Sequence, residues 1–180
     1  MVNTALDEND GDRNDGDCSL RDAIQTANAG ETITFNADFT IYLSSTLALT
    51  KELTIDGTGR SITISGDTGN DGSRDVRVFN ISASGVVTLS YITVVSGTAT
   101  RGGGISNEGT LLVSNSAISD NVATGGGSLG GGGGIYAFYP LQFPLPGGGC
   151  AKSPLARGIE GGRLLLRQRA DITELNIQLS

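Results

Sequence analysis

The amino-acid sequence predicts an all-β fold, a parallel β-helix in which short strands form a single-stranded solenoid behind a short N-terminal capping α-helix. The chain repeats itself at an offset of 24 residues, and short segments of alternating apolar and polar residues are closed by Gly or Asp. The composition agrees with a thin core of Val, Ile and Leu, because 180 residues include 28 Gly, 5% aromatic residues and no Trp.

Residues 1–32 are predicted to form an acidic loop followed by the capping helix. Ser19 and Asp22 have the spacing of a capping box. Apolar residues then recur at helical intervals: Leu20, Ala23, Ile24 and Ala27. The helix is expected to end before Gly30, and residues 33–136, where the period of the apolar residues changes to two, are predicted to hold the coils of the β-helix.

The repeat is clearest when residues 77–100 are laid over residues 101–124 without a gap. Identical or similar residues then coincide: Arg77 and Arg101, Ile81 and Ile105, Ser82 and Ser106, Gly85 and Gly109, Val87 and Leu111, Leu89 and Val113, Ser90 and Ser114, and Val94 and Ile118. A unit this short cannot bury its own apolar face, but stacked units share one core and pair strand to strand along the axis.

Glycine and asparagine mark the expected corners of the coils. Three consecutive glycines are expected at positions of positive φ or of tight contact between coils: Gly102, Gly103 and Gly104. Three asparagines are interpreted as turn residues that stack their amides along the axis, with a solvated turn as the alternative for each: Asn107, Asn115 and Asn121.

The regular pattern ends after residue 136. Ile135 lies where Ile81 and Ile105 predict it, but prolines follow, which cannot donate to a sheet: Pro140, Pro144 and Pro146. The charge also changes, from 7 Lys plus Arg against 16 Asp plus Glu through residue 150 to 5 against 3 thereafter. Residues 137–180 are therefore predicted to be an irregular tail, either a frameshifted sequence or a divergent C-terminal cap, in which Asp171–Ile177 has the pattern of a strand.

Two groups of motifs resemble a known family. Cys18–Ile24, Ala27–Gly30 and Ile33–Phe35 resemble the CSLREA-type N-terminal domain of bacterial secreted repeat proteins. Gly102–Asn107 and Asn115–Asn121 are similar to the β-helix repeats that follow this domain and to polymorphic outer-membrane protein (adhesin) repeats. The resemblance covers most of the chain up to residue 136.

The resemblance implies a right-handed parallel β-helix, an extracellular or cell-surface location, and adhesion or carbohydrate contact without established catalytic residues. The chain is then expected to be part of a longer repeat protein. The resemblance also implies a structural role for the motif residues Cys18, Ser19, Arg21 and Asp22. Such domains often carry another cysteine just before this motif; it is missing here, and Cys150 lies in the irregular tail.

Composition excludes several function classes. With no His in the sequence, Ser-His-Asp and Cys-His catalysis and His-ligated zinc are excluded. The net charge of −7 argues against nucleic acid as a partner, and no apolar run is long enough for membrane insertion. Gly125–Gly130 fits a G-x-G-x-x-G pattern, but no helix follows it, so it is interpreted as an insertion between coils.

The acidic loop is the candidate site for a cofactor, which would be calcium, because Ca²⁺ takes several carboxylate and carbonyl oxygens as ligands. The oxygen donors in the loop are Asp7, Asn9, Asp10, Asp12, Asp15 and Asp17. The spacing of an EF-hand is not met, and a solvated acidic loop without any cofactor is the alternative.

The sequence thus predicts a non-catalytic scaffold, adhesin-like or in contact with carbohydrate or another cell surface. The alternative is a polysaccharide lyase or glycoside hydrolase of the pectin-lyase-like β-helix class, whose chemistry needs carboxylates or a basic group beside the sugar. The available residues are Asp56, Asp67, Asp71, Asp75, Arg77 and Arg101. Most of them lie in Gly- and Asn-rich turns, where Asp commonly bonds its own backbone.

Overall fold

The computed structural model describes residues 1–12, 16–125, 132–137, 143–144 and 150–151. In this part of the chain, parallel strands stack as a β-solenoid of about four turns, with one short helix before them. The predicted fold class, a parallel β-helix with an N-terminal helix, is confirmed.

The helix α1 (Leu20–Thr26) begins at the predicted capping box. The hydroxyl oxygen of Ser19 accepts the N–H of Asp22 at 3.0 Å and lies 2.7 Å from the Asp22 carboxylate. Leu20, Ala23 and Ile24 are buried in the core. Because the apolar side of α1 packs into the core beside the first coil, the helix covers one end of the solenoid.

Most strands of the first two coils, together with β7 and β8, alternate buried and more exposed residues, as a half-buried strand requires. The first coil holds β1 (Glu31–Thr34), β2 (Phe39–Tyr42) and β3 (Leu47–Leu49), and the second holds β4 (Glu52–Asp56), β5 (Ile62–Ser65) and β6 (Phe79–Ile81). The third holds β7 (Val86–Ser90), β8 (Ile92–Val95), β9 (Thr98–Ala99) and β10 (Ile105–Asn107). The fourth holds β11 (Thr110–Ser114), β12 (Ala117–Ile118), β13 (Val122–Ala123) and β14 (Ile135–Ala137). A separate antiparallel pair follows, β15 (Phe143–Pro144) and β16 (Cys150–Ala151).

Three parallel sheets run along the axis. The first sheet has the order β1-β4-β7-β11, the second β2-β5-β8-β12 and the third β3-β6-β10-β14, while β9 pairs with β13. Each sheet places a column of apolar side chains in the core, and in the first sheet this column is Ile33, Ile55, Leu89 and Val113. The core is therefore a stack of thin aliphatic layers.

The predicted offset of 24 residues holds for three strand pairs and is wrong for the fourth. Leu89 pairs with Val113 and Val94 with Ile118, as predicted. Ala99 pairs with Ala123, which is the same offset of 24. In the third sheet, however, Ile105 pairs with Phe79, and Ile81 pairs with Asn107, an offset of 26.

The length of one corner explains this shift in register. Four residues, 82–85, connect β6 to β7, whereas two residues, 108–109, connect β10 to β11. The predicted pairings of Ile81 with Ile105 and of Ser82 with Ser106 are therefore wrong. Ile135 does pair with Ile105, as predicted.

Corners of the third and fourth coils repeat one backbone conformation. Tyr91 and Ser96 have φ of 55° and 53°, and the residues 24 positions later, Asn115 and Asp120, have φ of 48° and 54°. The left-handed region is unfavourable for most L-residues and is best tolerated by Gly, Asn and Asp. The coil geometry therefore imposes this conformation even on Tyr91.

Most of the predicted tail lies outside the described residues, as do Asp15 and residues 126–131 of the glycine-rich insertion. Asp171–Ile177 also lies outside them. Among the described helices, none is long and apolar enough to cross a membrane.

Candidate functional site

Asp7 and Arg21 join the acidic loop to the helix and to the first coil. The guanidinium of Arg21 donates to both Asp7 carboxylate oxygens, at 2.9 and 2.7 Å. Asp7 also accepts from the N–H and the hydroxyl of Ser44, each at 2.7 Å, and Arg21 donates to the carbonyl oxygen of Ser45 at 2.7 Å. The carboxylate of Asp7 is thus engaged in a structural ion pair, whose side chains are 3% (Asp7) and 10% (Arg21) exposed.

The other motif residues hold the acidic loop against α1. The Asp22 carboxylate accepts the N–H of Gly11 at 3.0 Å, and the Ser19 hydroxyl lies 3.0 Å from the carbonyl oxygen of Glu8. Cys18 is buried, and its thiol lies 3.7 Å from the carbonyl oxygen of Ser19. Ser19 and Asp22 therefore have a structural role: they attach the acidic loop to the start of α1.

The predicted calcium ligands are only partly brought together. Carboxylate oxygens of Glu8, Asp10 and Asp17 lie within 4.8 Å of one another. Asp7 and Asp12 are not members of this group, and Asp15 lies outside the described residues. Sequence reasoning missed Glu8, which follows Asp7 directly. Because exposed carboxylates commonly approach one another without an ion, this grouping does not identify a metal site.

A second acidic group lies in the loop between β5 and β6. Oxygens of Asp67, Asp71 and Asp75 also lie within 4.8 Å of one another. Asp67 is buried and accepts the N–H groups of Asp71 and Gly72 at 3.0 and 2.9 Å. These carboxylates therefore bond the loop backbone, which is the non-catalytic interpretation of Asp67 and Asp71.

The hydroxyl of Ser73, and after it the backbone N–H of Ser73, lower the pKa of the Asp71 carboxyl below its ordinary value. The N–H lies 2.9 Å from the carboxylate, and hydrogen bonds to a carboxylate favour its charged form. The Ser73 hydroxyl also contacts Asp75 at 2.9 and 3.0 Å. The loop itself therefore favours the charged form of Asp71.

The two predicted arginines have different surroundings. Arg77 donates to the carbonyl oxygens of Gly102 and Arg101, both at 3.0 Å, and burial lowers the pKa of Arg77. Arg101 donates to the hydroxyl of Tyr136 at 3.1 Å, with its guanidinium carbon 5.3 Å from the centre of that ring. Asp56, at the end of β4, accepts the N–H of Thr58 at 2.9 Å. It belongs to the first sheet, whereas Arg77 precedes β6, a strand of the third sheet.

The three corner glycines allow close contact between coils. Gly102 has φ of +58°, and a Cβ on Gly103 would lie 2.2 Å from the carbonyl oxygen of Val122. A Cβ on Gly104 would lie 2.7 Å from the carbonyl oxygen of Gly134. The predicted role of Gly102, Gly103 and Gly104 matches this geometry.

The asparagines do not form the predicted ladder of amides. Asn107 lies in β10, is buried, and accepts the N–H of Gly109 at 3.1 Å. Asn121 accepts the N–H of Gly97 at 2.8 Å and donates to the carbonyl oxygen of Val94 at 3.0 Å. Its amide therefore bridges the third and fourth coils, and the stacking interpretation is wrong for these two residues because Ile81 pairs with Asn107 and Gly97 is the bonded partner of Asn121.

The outer face of the first sheet extends across the second, third and fourth coils. It consists of the outward side chains of β4, β7 and β11: Glu52, Thr54, Asp56, Val86, Thr88, Ser90, Thr110, Leu112 and Ser114. Val86 and Leu112 are 46% and 59% exposed, and Tyr91, at the end of β7, is 45% exposed. The sequence indicated this outward alternation of β7 and β11 but not these three apolar groups as a surface feature.

Comparison with known proteins gives no match: no family model, no curated protein and no solved structure matches the chain. The resemblance to the CSLREA-type domain therefore stays a prediction.

Proposed function

We propose that this chain is a non-catalytic scaffold of a secreted or cell-surface protein, and that the outer face of the first sheet contacts carbohydrate. The observation that carries the proposal is that Val86 and Leu112 are exposed beside a column of hydroxyl groups on the outer face of the first sheet, with exposed Tyr91 directly after β7. The column includes Thr54 and Thr88, which pair directly.

Such a face suits the chemistry of a sugar. A pyranose ring presents C–H groups on one side, which pack on an aromatic ring, and hydroxyl groups at its rim, which need donors and acceptors. Tyr91 provides an apolar ring with a polar tip. Thr54, Thr88 and Ser90 provide hydroxyl groups that both donate and accept.

Binding to a panel of neutral and uronate-containing glycans tests the proposal. Tyr91→Asn removes the ring and suits a φ of 55°. Leu112→Thr removes apolar area while keeping a strand-forming residue. We expect each to weaken glycan binding by roughly tenfold, the effect of about 1.4 kcal/mol.

Val122→Thr is the matched control, since Val122 is 40% exposed but lies in β13, outside the first sheet. It is expected to leave binding unchanged. Equal binding by all three variants, or no binding of any glycan by the unmodified chain, would contradict the proposal. Turnover of a glycan, lost in an Asp67 or Arg101 variant, would instead establish the polysaccharide-active alternative.

A further inference from the structure

The outer face of the first sheet carries negative charge beside its hydroxyl groups. Glu52 and Asp56 lie at the two ends of β4 and point to the same side as Thr54, since alternate residues of a strand share a face. Glu52 is exposed, and Asp56 is half-buried. The neighbouring Lys51 is directed to α1, where its ammonium donates to carbonyl oxygens in the last turn and at the C-cap, at 3.0 and 2.6 Å. The outward side chains of β4, β7 and β11 therefore carry two negative charges and no positive one.

The carboxylate of Asp56 is held in one orientation by the corner that follows β4. Its Oδ1 accepts the N–H of Thr58 at 2.9 Å and the hydroxyl of Thr58 at 2.6 Å. A carboxylate has about four lone-pair positions, so these two contacts leave acceptor capacity for a ligand. Because the side chain is already oriented, it loses little conformational freedom when a ligand binds.

Further hydroxyl groups continue from Asp56 into the next two coils. Asp56 pairs with Ser90, Ser90 pairs with Ser114, and the two serine hydroxyls lie 3.3 Å apart. Neighbouring strands of a sheet are about 4.8 Å apart. One cationic group placed between β4 and β7 can therefore reach both the Asp56 carboxylate and the Ser90 hydroxyl.

Tyr91 lies at the same corner of the solenoid. It follows Ser90 directly and is 45% exposed. A Cβ on Gly57, the residue after Asp56, would lie 2.3 Å from the carbonyl oxygen of Tyr91, so the two backbones are in close contact here. An aromatic ring attracts a cation through its π face and also packs against C–H groups. A carboxylate, a hydroxyl and an exposed aromatic residue thus occupy neighbouring backbone positions.

We propose that the outer face of the first sheet selects polysaccharides that contain amino sugars with a free, protonated amine. This inference rests on the proposed function and names its ligand class. The ammonium group of the sugar has three donors, of which one bonds the Asp56 carboxylate and another the Ser90 hydroxyl. Glu52, about 13 Å further along β4, attracts a second amine of the same polymer.

The charges also determine which sugars bind less well. A hydrogen bond between an ammonium group and a carboxylate is charge-assisted and about twice as strong as one between neutral groups. An acetylated amine is neutral and loses this advantage. A uronate carries a carboxylate of its own and is repelled by Glu52 and Asp56.

Binding of three oligosaccharides of equal length tests this selectivity. They are an oligomer of glucosamine, its fully N-acetylated form and an oligomer of galacturonate. At a mildly acidic pH, at which the amine is charged, we expect the glucosamine oligomer to bind at least about tenfold more tightly than the acetylated one. The galacturonate oligomer is expected to bind least, and added salt is expected to reduce these differences.

Asp56→Asn removes the charge and keeps an oxygen that can accept from Thr58. It is expected to weaken binding of the glucosamine oligomer by about tenfold and to leave binding of the acetylated oligomer unchanged. Asp38→Asn is the matched control, because the Asp38 carboxylate also accepts a backbone N–H, that of Ser61 at 2.9 Å, but Asp38 precedes β2 and lies outside the first sheet. Urea unfolding reports whether both variants are folded.

The outcomes separate this inference from the proposed function. Equal affinity for the glucosamine oligomer and its acetylated form would overturn the selectivity but leave the carbohydrate contact standing, whereas binding of no oligomer would contradict both. An equal loss of affinity in Asp56→Asn and Asp38→Asn would also overturn the selectivity, since the attraction would then come from the net charge of −7 of the whole chain. Tightest binding of the galacturonate oligomer would overturn it as well.

Discussion

Gly97 lies where the third coil, the fourth coil and a corner meet. Its N–H donates to the side chain of Asn121, and a Cβ at this position would lie 2.1 Å from the carbonyl oxygen of Gly103. Both neighbours are fixed, the first by its bridge between coils and the second by the backbone. A single methyl group therefore has no space here.

Gly97→Ala is expected to lower the free energy of unfolding by about 1–3 kcal/mol, the usual cost of overpacking. Gly69→Ala is the control, because a Cβ on Gly69 would approach only the Asp71 side chain, at 3.5 Å. Urea unfolding of both variants measures the difference. Equal stability of the two proteins would show that the contact between Gly97 and Gly103 is not tight.

Asp71 offers a test of the loop between β5 and β6 through pH. Since its pKa is lowered in the folded chain, its contribution to stability is present above the pKa of the unfolded chain and is lost as the pH falls through the lowered value. Ser73→Ala removes the hydroxyl and is expected to raise the pKa of Asp71 toward its ordinary value.

An NMR titration of the carboxyl carbons measures this pKa directly. Ser84→Ala serves as the control, because the Ser84 hydroxyl bonds the carbonyl oxygen of Thr50 and not the loop between β5 and β6. A pKa of Asp71 that is the same in Ser73→Ala and in the unmodified chain would argue against the role assigned to the Ser73 hydroxyl.

At the scale of the elements, the ion pair between Arg21 and Asp7 links α1 to the first coil. Arg21→Ala leaves the Asp7 carboxylate, 3% exposed, without its cation. Removing one partner of a buried ion pair is strongly destabilising, and we expect a loss of about 3 kcal/mol in the free energy of unfolding. Thermal and urea unfolding measure it, with Arg60→Ala, at an exposed turn, as a control that changes stability by less than about 0.5 kcal/mol.

The double variant Asp7→Ala with Arg21→Ala extends this test. If the two side chains act as a pair, the double variant loses less stability than the sum of the two single variants. Additive losses would show that Asp7 and Arg21 act through Ser44 and Ser45 separately.

The elements also show how far the sequence predicts the fold. The alternation of apolar residues and the capping box at Ser19 are local patterns, so the strands and α1 could be predicted. The pairing of β6 with β10 could not, because the register depends on the corner that follows each strand, and the identity of Ile81 with Ile105 favours the wrong offset. Register in a solenoid is set by corner length as well as by residue type.

The same holds for the candidate sites: the sequence predicts their local composition but not their contacts between distant residues. The sequence shows that the loop before α1 is rich in carboxylates. It cannot show that the Asp7 carboxylate is paired with Arg21, since the two residues lie 14 positions apart. Likewise, the exposure of Leu112 and Tyr91 depends on which strands pair. A surface made by three coils is not visible in the sequence of any one of them.

For the whole molecule, stability is expected to depend on the columns of the core rather than on the outer faces. Leu89 lies in the middle of a column, between Ile55 and Val113, and is fully buried. Leu112 belongs to the neighbouring strand of the same sheet but points outward and is 59% exposed. The two leucines therefore allow one substitution to be compared at an inward and an outward position.

Leu89→Ala is expected to lower the free energy of unfolding by about 2–5 kcal/mol, because it removes buried methyl groups and leaves a cavity between two layers. Leu112→Ala is expected to change it by less than about 0.5 kcal/mol, as is usual for a surface position. Urea unfolding followed by circular dichroism measures both. Comparable losses would mean that β7 and β11 are paired one residue out of register, since a slip of one residue exchanges the two faces of a strand.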